Sequence, residues 1–65
     1  MKIALKLEEA RERKGVSRKQ LARSMGVTRT AVCAWETGRN SITLGRIVQA
    51  AKALGCKPGE LLEVI

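Results

Sequence analysis

The stretch from residue 18 to residue 37 constrains the fold of this 65-residue chain more than any other. Gly26 divides it, and a Gly at such a position can adopt the left-handed conformation that ends one helix and turns the chain into the next. Ala22 is small at the point where the two helices would cross, which lets their backbones approach closely. The shared apolar underside consists of Leu21, Met25, Val27, Val32 and Trp35. This spacing predicts two short helices joined by a tight turn.

Start signals for further helices flank this pair. Ser17 precedes Gln20 by three residues, as in a capping box, and Thr28 and Thr43 are good N-caps. Pro58 suits the first turn of a last helix. No segment alternates apolar and polar residues as a strand does. We therefore predict a single domain over residues 1–65, an all-α bundle of five helices at about residues 3–14, 18–25, 29–37, 44–54 and 58–63.

Each predicted helix offers one apolar face to a common core, because apolar residues recur along it at intervals of three and four. The chain has a single aromatic residue, so this core must be aliphatic around Trp35. Outside the central pair of helices, the predicted core residues are Ile3, Leu7, Ala10, Leu44, Ile47, Val48, Ala51, Leu54, Leu61 and Leu62.

The chain is strongly basic, with 13 Lys and Arg against six acidic residues and a net charge of +7. That excess favours a polyanionic partner, nucleic acid ahead of a membrane, although a basic surface could also serve solubility alone. No apolar run reaches the roughly 18 residues that a membrane span needs. Acidic residues come too early for a signal peptide, so we expect a cytoplasmic protein that does not enter membranes.

Catalytic and metal chemistry have little support in the sequence. There is no His, no nucleophile beside a base and no Gly-rich loop that would hold a phosphate, so we do not expect an enzyme. Cys33 and Cys56 cannot supply the four ligands of a structural zinc site, and their context favours free thiols over a disulfide. We expect neither a metal nor a cofactor.

The stretch from Leu7 to Leu62 resembles the Cro and phage-repressor type of helix-turn-helix DNA-binding domain, most specifically in LARSMGVTRTAV, AWETGR and AKALG. The resemblance implies a lambda-repressor-like fold of five helices, whose third helix enters the major groove while a symmetric dimer binds an operator. It also implies that Arg11 and Glu36 form a partly buried structural ion pair. Arg18 departs from the family, which usually has Gln there. Further departures are Ile42 for a usual Pro, Gly45 and Gly59 for helix-favouring residues, and Lys57 for a capping Ser or Asp.

The outward face of the third helix is the predicted base-reading surface. If Val32 and Trp35 face inward, the opposite side of this helix carries Arg29, Thr30, Cys33 and Ala34. An Arg in the first turn can donate two hydrogen bonds to guanine, worth about 1–3 kcal/mol of discrimination. The alternative is that Arg29 only neutralises a phosphate.

Contacts to the DNA backbone should flank that face. Arg18 begins the second helix, where its side chain and the free N–H groups of the helix can meet one phosphate. The alternative for each cation is an ordinary solvated side chain. The predicted backbone contacts are Arg18, Thr28, Arg39, Asn40 and Ser41, with Lys19 and Arg23 adding positive field.

The C-terminal sequence LLEVI carries more apolar residues than one short helix can bury in its own bundle. We therefore predict a homodimer interface that includes Ile42, Leu62, Val64 and Ile65. The expected function is a transcriptional regulator, in the first instance a repressor, that binds a double-stranded operator with inverted-repeat symmetry. The alternative is an antitoxin-like interaction protein, which binds a partner protein and regulates its own operon.

Overall fold

The computed structural model describes residues 3–65 and is mostly helical. Within this described part of the chain, a short strand is followed by four α-helices, one 3₁₀ turn and a second strand. Their bounds are β1 (Ile3–Leu5), α1 (Leu7–Arg13), α2 (Arg18–Met25), α3 (Arg29–Glu36), α4 (Leu44–Leu54), the 3₁₀ turn (Pro58–Leu61) and β2 (Leu62–Val64). The three central helices lie where the sequence predicts them, but the secondary structure at the two ends of the chain differs from the prediction.

The all-α, five-helix prediction is wrong at both ends. The first helix begins at Leu7, and the last predicted helix is reduced to the 3₁₀ turn. β1 and β2 form a two-stranded antiparallel sheet in which Ile3 lies opposite Val64 and Leu5 opposite Leu62. Strands of three residues are too short to show an alternating pattern, and each depends on pairing with the far end of the chain. Periodicity therefore could not reveal them.

Lys6 connects the sheet to the start of α1. Its backbone N–H donates to the carbonyl of Leu61 at 2.6 Å, and its Nζ lies 2.7 Å from Glu63 and 3.4 Å from Glu9. The hydrogen bond to Glu63, followed by that to Glu9, raises the pKa of the Lys6 ammonium above its ordinary value. These contacts are exposed to solvent, so they orient the strands more than they stabilise the fold.

The helices begin and end at the predicted local signals. Ser17 Oγ accepts from the N–H of Gln20 at 3.1 Å, and Gln20 Oε1 accepts from the N–H of Ser17 at 2.8 Å, which completes the capping box. Thr28 and Thr43 cap α3 and α4 with their side-chain oxygens. Gly26 ends α2 with φ of +70°, in the left-handed region. These features fix the angle between α2 and α3.

The core is aliphatic, and its most fully buried large side chains are Leu7, Leu21, Val32 and Leu61. Trp35 is only partly buried at its margin. Two predicted core residues are exposed, Ile3 at 65% and Leu44 at 72%. Leu44 is the first residue of α4, and side chains tilt toward the helix N-terminus, so it extends past the end of the core. Ile3 belongs to the sheet and not to a helix face.

Two Gly-to-Ala substitutions should have opposite effects on stability. Gly26→Ala places a Cβ in the left-handed region, which we expect to cost about 1–2 kcal/mol. Gly45→Ala lies in the first turn of α4, where an added Cβ meets nothing within 4 Å, and should stabilise the fold by up to about 1 kcal/mol. Urea unfolding followed by circular dichroism measures both. An unchanged midpoint for Gly26→Ala would contradict the role of this turn.

Candidate nucleic-acid interface

The first turn of α3 is exposed to solvent. Val32 is fully buried and anchors α3 to the core, while Arg29 and Thr30 are exposed. The Thr28 side chain accepts a hydrogen bond from the N–H of Ala31 at 3.1 Å, which fixes where this turn begins. The two predicted base readers at the start of α3 are therefore presented to solvent by a well-defined helix start.

An open groove of about 470 Å³ runs along the outward face of α3. It brings together the four predicted base readers with two further residues, and its lining is Arg29, Thr30, Cys33, Ala34, Thr37 and Arg39. Thr37 is absent from the prediction. It lies four residues after Cys33 and so shares its helical face, and its hydroxyl donates to the Cys33 carbonyl at 2.9 Å.

The predicted outward position of Ala34 is wrong. Ala34 is 8% exposed and forms the floor of the groove. The loop after α3 folds back at this residue, so that the N–H groups of Arg39 and Asn40 donate to the Ala34 carbonyl at 2.9 and 3.3 Å. Arg39 also borders the groove.

A second groove of about 480 Å³ lies at the start of α2. Arg18 and Lys19 border it together with Arg29, and Ser17 and Arg11 complete the lining. Arg29 therefore borders both grooves and connects the predicted base-reading surface to the predicted backbone surface. The other predicted backbone residues, Arg23, Thr28, Asn40 and Ser41, are exposed but border neither groove.

Charge is unevenly distributed along the chain. Ten of the thirteen cations lie between residues 13 and 59, together with a single acid, Glu36. The Glu36 side chain is fully buried. The exposed charges of this segment are consequently all positive, and the segment supplies the lining of both grooves except for Arg11. The remaining acids are on α1 and at the C-terminal end, at Glu8, Glu9, Glu12, Glu60 and Glu63.

The buried Glu36 carboxylate accepts hydrogen bonds from two guanidinium groups. Arg11 donates from Nε at 2.8 Å and from Nη2 at 3.4 Å. Its Nη1 also donates to the carbonyl of Val16 at 2.8 Å. Arg11 is itself buried, so this ion pair connects α1, the loop before α2, and the C-terminal end of α3.

The second guanidinium belongs to Arg18, which the sequence assigned only to a phosphate. Its Nε donates to Glu36 Oε1 at 2.7 Å, and its Nη2 lies 3.8 Å from Glu8. The hydrogen bond to Glu36 raises the pKa of Arg18 above its ordinary value. The departure from Gln at this position was the available signal, since an Arg, unlike a Gln, adds a second cation beside the carboxylate.

The predicted dimer residues divide into two pairs. Val64 and Ile65 are exposed, at 64% and 71%, while Ile42 and Leu62 are half-buried against the core. Ile3, opposite Val64 in the sheet, adds a third exposed apolar side chain to this region. Within residues 3–65, no cluster of three metal-binding side chains occurs and no helix is long and apolar enough to cross a membrane.

Comparisons with known proteins point to one family. Residues 7–61 match the profile of the helix-turn-helix family. The restriction-modification controller protein C.AhdI from Aeromonas hydrophila is similar in structure, with 38% identity, a TM-score of 0.82 and coverage of 86% of this chain and 85% of that one. A hypothetical transcription factor, NHTF from Neisseria, has 39% identity and a TM-score of 0.79 over 86% of this chain and 64% of that one.

A protein from Bacteroides fragilis shares the fold, with a TM-score of 0.89 at 19% identity, over 95% of this chain and 100% of that one. Among curated proteins, the chain has no significant match.

Removing one partner of the Arg11–Glu36 pair should destabilise the fold more than replacing both partners. Glu36→Ala leaves the buried Arg11 charge uncompensated, at a cost of about 3–5 kcal/mol. A domain of this length has only about 3–10 kcal/mol in total. Thermal unfolding should therefore place Glu36→Ala far below the Arg11→Met, Glu36→Leu double variant. A single variant that melts like the wild type would show that the pair does not support the fold.

Proposed function

This chain belongs to the XRE-like helix-turn-helix family of DNA-binding regulators, and we propose that it represses transcription by binding an operator as a homodimer. The similarity to a restriction-modification controller protein and to a hypothetical transcription factor supports a role in transcriptional control. The observation that carries the proposal is the exposed first turn of α3, which presents Arg29 and Thr30 within a segment whose exposed charges are all positive.

In this proposal, the first turn of α3 contacts the base edges. In this docking mode, the N-terminal residues of the second helix of the motif reach the base edges in the major groove. The Arg29 guanidinium can donate to O6 and N7 of a guanine, and the Thr30 methyl group can contact a thymine methyl group. Cys33 is half-buried farther along the groove, where a small side chain lets the DNA approach closely.

Phosphate contacts flank the base readers on two sides. On one side, Arg18 and Lys19 border the groove at the start of α2. On the other, Arg39 borders the groove along α3 and is followed by the exposed residues Asn40 and Ser41. Such contacts set the register of the protein on the duplex and supply salt-dependent affinity without sequence information.

We expect dimerisation because a single domain contacts only a short DNA sequence. One recognition helix contacts only a few base pairs, so a second copy is needed for useful specificity. The proposed interface consists of the exposed residues Val64 and Ile65, at the C-terminal end of the chain, with the half-buried Ile42 and Leu62, which pack against the core. A two-fold dimer of this kind sets the recognition helices about 34 Å apart, one turn of duplex.

Selection of bound duplexes from a random DNA pool tests this function. We expect an inverted repeat with half-site centres about 10 base pairs apart. A pool that remains random after several rounds would contradict sequence-specific binding. A motif that lacks two-fold symmetry would instead contradict the homodimer and leave DNA recognition by α3 in place.

Arg29→Ala should remove base preference at one symmetric pair of operator positions. We expect a loss of about 1–3 kcal/mol of discrimination there, because the two hydrogen bonds to guanine are lost. Competition binding between the selected operator and duplexes changed at that pair measures it. Lys52→Ala is the control, since Lys52 is also an exposed cation but borders a different groove. A uniform loss on all sequences would assign Arg29 to phosphates.

Deleting Val64 and Ile65 should weaken binding to the full operator while sparing binding to a single half-site. The deletion removes no core residue. It does remove the sheet partner of Ile3, so circular dichroism must first show that the shortened chain is folded. Analytical ultracentrifugation with full and half operators compares the two affinities. Equal loss on both would contradict an interface at this end. Copurification of the intact chain with a small partner protein, lost on deletion, would favour the antitoxin-like function.

A further inference from the structure

Glu36 is paired with two positively charged side chains, although one would be enough to neutralise it. Arg11 already binds both of its oxygens and is buried with it. Arg18 adds a second guanidinium on Oε1 at 2.7 Å, and its side chain remains 31% exposed. One buried carboxylate therefore holds two cations. Arg18 is the partly exposed member, and within residues 3–65 the only other carboxylate near it is that of Glu8, 3.8 Å from Nη2.

The hydrogen bond from Nε fixes the plane of the Arg18 guanidinium. The group is rigid and planar, with five N–H donors in a fixed arrangement. Nε donates to Glu36, and Nη2 lies 3.8 Å from Glu8, so the Nε side of the group faces the protein carboxylates. The N–H groups of Nη1 and the second N–H of Nη2 form the adjacent edge, which can face the groove that Arg18 shares with Lys19 and Arg29.

Resting on the proposed function, we propose that Glu36 is a positioning residue for DNA binding, which holds Arg18 as a bridge between its own carboxylate and a phosphate of the DNA backbone. The Nε atom stays on Glu36 while the Nη edge donates to phosphate oxygens. The side chain is then ordered before DNA arrives, which reduces the conformational entropy lost on binding. The core ion pair and the DNA contact become parts of one network.

A bridge of this kind needs an Arg and cannot be made by a Lys. The lysine ammonium is a single point charge without a second edge, so it can pair with Glu36 or with a phosphate but does not hold both in a fixed geometry. A simple electrostatic contact would accept either residue. The Arg18→Lys variant therefore keeps the positive charge while it removes the bridging geometry.

The test measures binding of the selected operator duplex by wild type, Arg18→Lys and Arg18→Gln, each shown to be folded by circular dichroism. Arg13→Lys is the matched control, because Arg13 is exposed and borders neither groove. We expect Arg18→Lys to bind about tenfold more weakly than wild type, in the range of a lost charge-assisted hydrogen bond, and nearly as weakly as Arg18→Gln. Arg13→Lys should bind like wild type.

Glu36→Gln completes a double-mutant cycle with Arg18→Lys. If Glu36 positions Arg18, the Lys substitution should cost much less in the Glu36→Gln background, because the anchor of the bridge is already weakened. Effects that simply multiply would overturn the positioning role. If Glu36→Gln does not fold, the comparison of Lys with Gln at position 18 decides alone.

Binding of Arg18→Lys within about twofold of wild type would overturn the bridge, since retained affinity would mean that charge alone suffices. That result would leave the proposed function intact, because wild type would still bind its operator. Failure of the wild-type chain to enrich any sequence from the random pool would instead overturn the proposed function itself. The two failures are therefore distinguishable.

Discussion

The ion pair between the fully buried carboxylate of Glu36 and Arg11 holds the helices of this domain together. The carboxylate lies at the end of α3 and binds Arg11 of α1, which in turn donates to the carbonyl of Val16 just before α2. A carboxylate away from water is stable only if its oxygens are paired, so the three helices must meet in one arrangement to satisfy it. That arrangement sets the orientation of α3 relative to the rest of the domain.

The burial of Glu36 also shapes the surface. Because the only acid between residues 13 and 59 is inside, the exposed charges of the helix pair are uniformly positive. The remaining acids lie on α1 and near the C-terminal strand, together with the exposed apolar residues Val64 and Ile65. The helix pair therefore offers a basic surface suited to a phosphate backbone.

Local sequence signals made the central helices predictable, whereas contacts between residues far apart in the sequence could not be predicted. Ser17 and Gly26 determine the bounds of α2 through atoms a few residues away, so short-range rules sufficed. The sheet depends on pairing between opposite ends of the chain, and the exposure of Leu44 depends on where the core stops. The hydrogen bond between Arg18 and Glu36 spans two helices. The family resemblance pointed to one partner of Glu36, and only the three-dimensional arrangement adds the second.

We propose that DNA binds across α3 and the start of α2, and chemical-shift mapping by NMR tests this site: the uniformly ¹⁵N-labelled chain is titrated with the selected operator duplex. We expect the largest amide shifts on residues 17–19, 28–34 and 38–41, with smaller shifts near the sheet from dimerisation. Shifts confined to α4 or to the sheet, with the first turn of α3 unperturbed, would contradict it.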